Sequence, residues 1–150
     1  GPAPTFQLAN IGRARTQGVE SFIAWQALET LNLRADWTYT DAIDAGTRLA
    51  LLRRPRHKLA ATADWLATDD LTLDATLLYI GPQIDGNRDF SIPRLKQDGH
   101  VTMDLAASYR LTETFSLFGR VENLFDTSYQ SPEGFLRPGL GAYAGIKVNL

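Results

Sequence analysis

The chain has no cysteine, which excludes disulfide staples, thiolate nucleophiles and cysteine-based metal sites. No apolar run approaches the ~18 residues that a transmembrane helix requires, although a membrane barrel, whose strands are each only half apolar, stays open. The net charge of −2 and the lack of a basic cluster interleaved with aromatics exclude a nucleic-acid partner. The two histidines, His57 and His100, flank different loops and match no zinc spacing. There is no Gly-x-Ser-x-Gly, no P-loop and no Ser/His/Asp set in a supporting context, so no catalytic residue, metal or cofactor is assigned and an enzyme is not expected. Asp69-Asp70 reads as a turn rather than an acid–base pair. Asp85-Gly86-Asn87-Arg88-Asp89 spaces oxygen ligands like a calcium loop, but it lacks the distal glutamate and flanking helices, so it reads as an ordinary polar loop.

What is present is alternation. Val101, Met103, Leu105, Ala107, Tyr109 and Leu111 alternate with Thr102, Asp104, Ala106, Ser108 and Arg110; Leu71, Leu73, Ala75, Leu77 and Tyr79 alternate with Thr72, Asp74 and Thr76. Side chains of a strand alternate sides, so each segment has one apolar and one polar face. Such a face either packs into a protein core or meets lipid, with its opposite facing a wet lumen.

Seven segments read as strands: Arg13–Ala27, reaching back toward Phe6, then Leu31–Ala42, His57–Ala67, Leu71–Gly81, Val101–Leu111, Phe115–Leu124 and Ala142–Leu150. Phe6 and Leu8 break phase with Val19, Ile23 and Trp25, which predicts a bulge or a separate short strand near Asn10-Ile11-Gly12. Glu29-Thr30, Thr68-Asp69-Asp70 and Thr112-Glu113-Thr114 are short polar connections. Residues 43–56, 82–100 and 125–141 are long and rich in Gly, Pro, Arg and Asp. Short turns at one end and long loops at the other are the asymmetry of an outer-membrane barrel, which a soluble sandwich does not require.

The aromatics point the same way. Trp25, Trp65, Tyr109 and Phe115 fall at the short-turn ends of their strands; Trp37, Tyr39 and Tyr79 fall near the long-loop ends. All lie on the apolar face, as two membrane girdles would. The opposite face carries Glu20, Arg34, Asp36, Lys58, Asp64, Asp74, Asp104, Arg110, Arg120, Glu122 and Lys147. Both signs are present, which suits ion pairs in a hydrated lumen rather than a strongly ion-selective pore.

Several motifs carry a family resemblance. Val121-Glu122-Asn123-Leu124-Phe125-Asp126, with Tyr129 beyond it, resembles the C-terminal signature of TonB-dependent outer-membrane receptors. Asn10-Ile11-Gly12-Arg13-Ala14 with Gly18-Val19-Glu20, then Arg54-Pro55-Arg56-His57, then Gly139-Leu140-Gly141 leading into the last strand, resemble that family's motifs in the same order. Leu51-Leu52-Arg53-Arg54 and the loop lengths look most like the vitamin B12 (cobalamin) transporter branch. Physically these motifs are mostly structural. Asn123 and Asp126 are suited to bond their own backbone and start a turn where the strand leaves the membrane. Gly12 and Gly18 suggest a bulge or close backbone approach, and Pro55 suits the first position of a strand. Leu150 departs from the aromatic residue with which such barrels usually end.

The resemblance implies an all-β fold of seven or eight up-and-down antiparallel strands in the bacterial outer membrane. These would form either a fragment of a barrel of about 22 strands or, if residues 5–12 supply another strand, a small closed barrel of about eight with a structural role and no transport path. Gly1-Pro2 reads as the scar of an engineered protease site, making residues 1–4 a linker and 5–150 the C-terminal barrel segment. The parent would take up cobalamin or a ferric siderophore, a large metal chelate. Its partners would be the bilayer or detergent, the rest of the barrel or other copies of the chain, and TonB only through an N-terminal part that this segment does not resemble. Arg48, Arg53, Arg54, Arg88, Tyr129, Phe135 and Arg137 are the expected ligand contacts, because arginine and aromatic side chains suit large anionic or ring-shaped ligands. A soluble β-domain is the remaining alternative.

Overall fold

The computed structural model describes residues 12–87 and 91–148. Its strands are β1 (Ala14–Leu28), β2 (Leu31–Asp44), β3 (His57–Leu66), β4 (Leu71–Ile80), β5 (Gln83–Asp85), β6 (Leu95–Gln97), β7 (His100–Arg110), β8 (Phe115–Glu122) and β9 (Gly141–Val148). Seven form one antiparallel meander in the order β1-β2-β3-β4-β7-β8-β9, and β5 with β6 makes a separate small hairpin. Pro55 lies two residues ahead of β3 rather than on its first position, so it ends the preceding loop. The one slip in the β1–β2 ladder falls between Gln26 and Leu28. The bulge expected near Asn10-Ile11-Gly12 falls largely outside the described residues, as does any strand before Gly12.

The register follows from the alternation. Directly opposed residues share a face, and a slip of one residue would invert every side chain of a strand. The ladder rows run Trp25–Leu33–Ala63–Ala75–Leu105–Val121–Ala142 and Ser21–Trp37–Leu59–Tyr79–Val101 on one face. On the other they run Ala24–Arg34–Thr62–Thr76–Asp104. Apolar thus meets apolar across the sheet. The polar face holds ion pairs of Arg120 with Glu122 (2.9 Å) and of Arg34 with Asp36, and Arg34 also lies 4.6 Å over the Phe22 ring. Phe22, Phe118 and Tyr143 are aromatics on this face that simple alternation does not predict.

The aromatics of the apolar face do not lie along single rows. From Trp25 through Trp65 and Tyr109 to Phe115 the line falls three dyads toward the short turns over five strand spacings. At ~3.3 Å per residue and ~4.8 Å between strands, that is a slant of about 40° to the rows. Tyr39 likewise sits one dyad above Tyr79.

This sheet has no core of its own. The chain exposes 11152 Å², against about 7,600 Å² for a compact monomer of its size. Among the described residues only Ala42 and Pro55 carry buried apolar side chains, while Ile23, Trp25 and Ile146 are more than half exposed. A soluble sandwich would place a second sheet on the apolar face; here there is one layer, so the soluble reading is set aside. Among the described residues β1 and β9 do not pair, so both edges are open and these strands do not close into a small barrel. An open edge presents unpaired N–H and C=O groups, which the bilayer penalises unless more wall completes the sheet.

Gly18 marks a close approach. A Cβ there would collide with the Tyr39 carbonyl oxygen on β2. Gly18→Ala is therefore expected to destabilise the barrel by about 1–3 kcal/mol through a forced backbone shift, read from denaturant unfolding in lipid. Gly12→Ala, with nothing within 4 Å of the added Cβ, is the control expected to change little.

Candidate functional site: the outer loop cluster

The two ends of the sheet differ. At one end the connections 67–70 and 111–114 are tight turns closed by a threonine: Thr68 Oγ1 accepts the Leu71 N–H (3.0 Å) and Thr112 Oγ1 that of Phe115 (3.0 Å). Arg110 joins two of them by donating from Nε to Asp70 (2.8 Å) and from Nη2 to the Asp69 carbonyl (3.0 Å). Asp69-Asp70 is thus a turn. At the other end the three long connections meet.

The first, residues 45–56, folds back on β2. Asp44 Oδ1 accepts the N–H groups of Gly46 (2.8 Å) and Thr47 (3.1 Å), and Leu51 N–H donates to the Ala42 carbonyl (2.8 Å). Arg48 and Arg53 lie in the left-handed backbone region, at φ 63° and 57°. The second, residues 81–99, contains the β5–β6 hairpin. Its turn is closed by Asn87, which donates to Ser91 Oγ and accepts the Ile92 N–H, both at 2.8 Å. The third, residues 123–140, starts at Asn123 and returns to β9.

Asp85 on β5 ties the three together. Its Oδ1 accepts Arg53 Nε from the first loop (2.8 Å) and the Gly86 N–H (2.8 Å), and its Oδ2 accepts the Glu133 N–H from the third loop (3.0 Å). The Arg53 N–H donates to the Ile84 carbonyl (2.8 Å), Arg94 Nη2 to the Ala50 carbonyl (2.7 Å) and Gln97 Nε2 to the Gln130 carbonyl (2.8 Å). Burial alone would push the Asp85 carboxyl up. The Glu133 N–H, the Arg53 guanidinium and the Gly86 N–H outweigh it and hold the group below its ordinary 3.8. The calcium-like spacing from Asp85 to Asp89 therefore contains a carboxylate used internally. Arg88 and Asp89 lie outside the described residues, and among the described residues no group of His, Asp and Glu has a metal-holding arrangement.

The Asn-Leu-Phe-Asp motif closes the third loop. Asn123 is buried, at φ 49°. It donates from Nδ2 to the carbonyls of Thr127 (3.0 Å) and Pro138 (3.3 Å) and accepts the Thr127 N–H on Oδ1 (3.0 Å). Asp126, also at positive φ (49°), reaches across the loop instead of to its own backbone: its Oδ1 accepts the Leu140 N–H (2.9 Å). A Cβ at Gly139 would collide with that same oxygen. Leu124 and Phe125 are exposed.

The expected ligand contacts are distributed over this cluster. Arg48, Arg54 and Arg137 are exposed and have no carboxylate partner among the described residues. Arg53 spends its Nε on Asp85, while its side chain stays more than half exposed. Tyr129 stacks on His100 at 4.0 Å between ring centroids and lines a cleft of about 330 Å³ with Lys96, Gln97 and Glu133. Phe135 is exposed at the tip of the third loop. The sequence offered Asp85 only as the first oxygen of a calcium-like spacing and read it as part of an ordinary polar loop, because an aspartate in a polar stretch looks solvent-facing. No local signal marked the hairpin that carries it, because Gln83–Asp85 and Leu95–Gln97 are each only three residues long.

A family model described as TonB dependent receptor-like, β-barrel, matches residues 1–124. The iron-regulated outer membrane virulence protein of Vibrio cholerae is 30% identical over 99% of this chain and 23% of its own length. The vitamin B12 transporter BtuB of Photobacterium profundum is 32% identical over 84% of this chain and 20% of its own length. Among solved structures, the ferric enterobactin receptor PfeA of Pseudomonas aeruginosa superposes with a TM-score of 0.76 at 26% identity, over 93% of this chain and 23% of that one. The copper transporter OprC gives 0.73 at 19% identity, a likeness of fold alone. The chain spans less than a quarter of the length of each of these relatives.

Proposed function

We propose a role in uptake from the premise that this chain belongs to the TonB-dependent receptor β-barrel family. It is an outer-membrane β-barrel segment. In the parent receptor it forms part of the wall of a barrel of about 22 strands, with its apolar face to lipid, its charged face to the lumen and its three long loops outside. The aromatic lines serve as the two membrane girdles. Their slant supports this, because about 40° is the tilt at which barrel strands cross a membrane plane. TonB contact belongs to the parent's N-terminal part.

The observation that carries the uptake reading is the loop cluster. Three connections converge at one end, tied to one another, and present Arg48, Arg54 and Arg137 with no acidic partner among the described residues. Exposed guanidinium groups and aromatic side chains on one loop cluster suit a large anionic ligand. A ferric siderophore of the catecholate class fits that chemistry. The iron-regulated Vibrio relative and the ferric enterobactin receptor structure support it. Cobalamin is the second reading, favoured by the 32% identity to a B12 transporter.

The test uses the full-length receptor in vesicles with Arg48, Arg54 and Arg137 replaced together by glutamine. Affinity for ferric enterobactin should fall roughly tenfold or more, with a weaker salt dependence, since each charged hydrogen bond contributes about 1.5–3 kcal/mol. Unchanged affinity for that chelate would overturn the role of these arginines, and binding of cyanocobalamin in its place would select the second reading.

A further inference from the structure

Asp85 is the one fully buried side chain among the described residues, and it sits in a loop, where neither wall nor lumen uses it. A carboxylate taken out of water is costly unless charge and hydrogen bonds replace its hydration. Here they do, and they come from two other loops. One oxygen holds the first loop through Arg53 and the other holds the third through the Glu133 backbone. Arg53 itself sits at φ 57°, a conformation a non-glycine residue keeps only when its surroundings hold it there.

We propose that Asp85 is a positioning residue, a latch whose carboxylate locks the three outer loops into one arrangement with Arg53 as its clasp. The hairpin is the hub because, among the described residues, it is the only one of the three connections bonded by side chains to both others: Arg94 reaches the first loop and Gln97 the third. Loops fixed before a ligand arrives lose less freedom on binding it. That benefit rests on the uptake reading; the latch itself does not.

The latch is tested without any ligand, in the full-length receptor in lipid vesicles. Nitroxide labels at Leu49 and Leu136, both exposed, report the spacing of the first and third loops by pulsed electron paramagnetic resonance. At neutral pH the unaltered receptor should give one narrow distance. Asp85→Asn keeps the size but loses the charge, and should lower the narrow population roughly tenfold, the effect of losing a charge-assisted bond. Arg53→Gln should do the same, and Arg53→Lys, which keeps one charged donor, should restore part of the order.

Acidification adds a readout that a merely structural role would not give. Arg53 is the charged side chain facing Asp85; Glu133 offers only its N–H there, its own carboxylate turning to Gln97 Nε2 at 3.4 Å, and Gly86 supplies the remaining N–H. Because the carboxyl is held below 3.8, the latch contributes fully above that value and is lost as pH falls through the folded-state value. The unaltered distance should therefore broaden in acid, and that of Asp85→Asn should not respond. A narrow distance that persists in both Asp85→Asn and Arg53→Gln would overturn the latch. If Asp85→Asn does not insert, Arg53→Gln carries the test, since that side chain is largely exposed. A failed latch with normal chelate binding, or the reverse, separates this inference from the uptake reading.

Discussion

Ala75→Arg is expected to destabilise the inserted barrel by about 2–4 kcal/mol, and Thr76→Arg beside it by less than about 1 kcal/mol. The two residues are chain neighbours at mid-strand on β4 and differ in the face they occupy. Ala75 lies in the row with Leu105, Val121 and Ala142. An arginine there would place a guanidinium against hydrocarbon near the middle of the apolar band. Thr76 is directly opposite Asp104 on the charged face, where a new cation gains an acidic neighbour and keeps its hydration. Reversible unfolding of the full-length barrel in lipid vesicles by guanidinium measures both. Equal penalties at the two positions would mean that the apolar face does not meet lipid.

Asn123→Ala is the second large effect, at about 3–4 kcal/mol. It removes three side-chain hydrogen bonds made from a buried side chain and leaves the Thr127 N–H and the Thr127 and Pro138 carbonyls without that partner. It also leaves an alanine at φ 49°, where asparagine is tolerated more readily. Asn123→Gly separates the terms: it relieves the backbone while losing the same bonds, and should be about 1 kcal/mol milder. Asn123→Asp keeps the acceptor for Thr127 N–H but turns carboxylate oxygen toward two carbonyls, and should be as damaging as alanine. A loss under about 1 kcal/mol for Asn123→Ala, measured by the same unfolding, would show that the third loop is closed by other contacts.

Both predictions draw on features that were unequally visible in the sequence. The strands were legible because lipid on one side and water on the other impose a two-residue period on every strand. The expected Leu71–Gly81 segment and the observed Leu71–Ile80 strand differ by one residue. The β5–β6 hairpin was not legible, because three-residue strands such as Gln83–Asp85 are too short to display a period. Asn123 and Asp126 were recognisable as turn residues from their chemistry. That Asp126 bonds Leu140 at the far end of the loop rather than its neighbouring backbone was not, since nothing local says where the chain returns. Arg53 stood out as a cation, but its partner lies 32 residues away.

By itself the sequence determined the all-β architecture, the order of the seven sheet strands and the face each of their side chains occupies. The physical reason is that alternation fixes register, and a slip of one residue would put charge into lipid. The tertiary structure alone decided what the long loops do. They carry no period, and their partners are set by where distant strands end. Asp85 meets an N–H donor 48 residues further on only because β4 and β8 finish at the same end of the sheet.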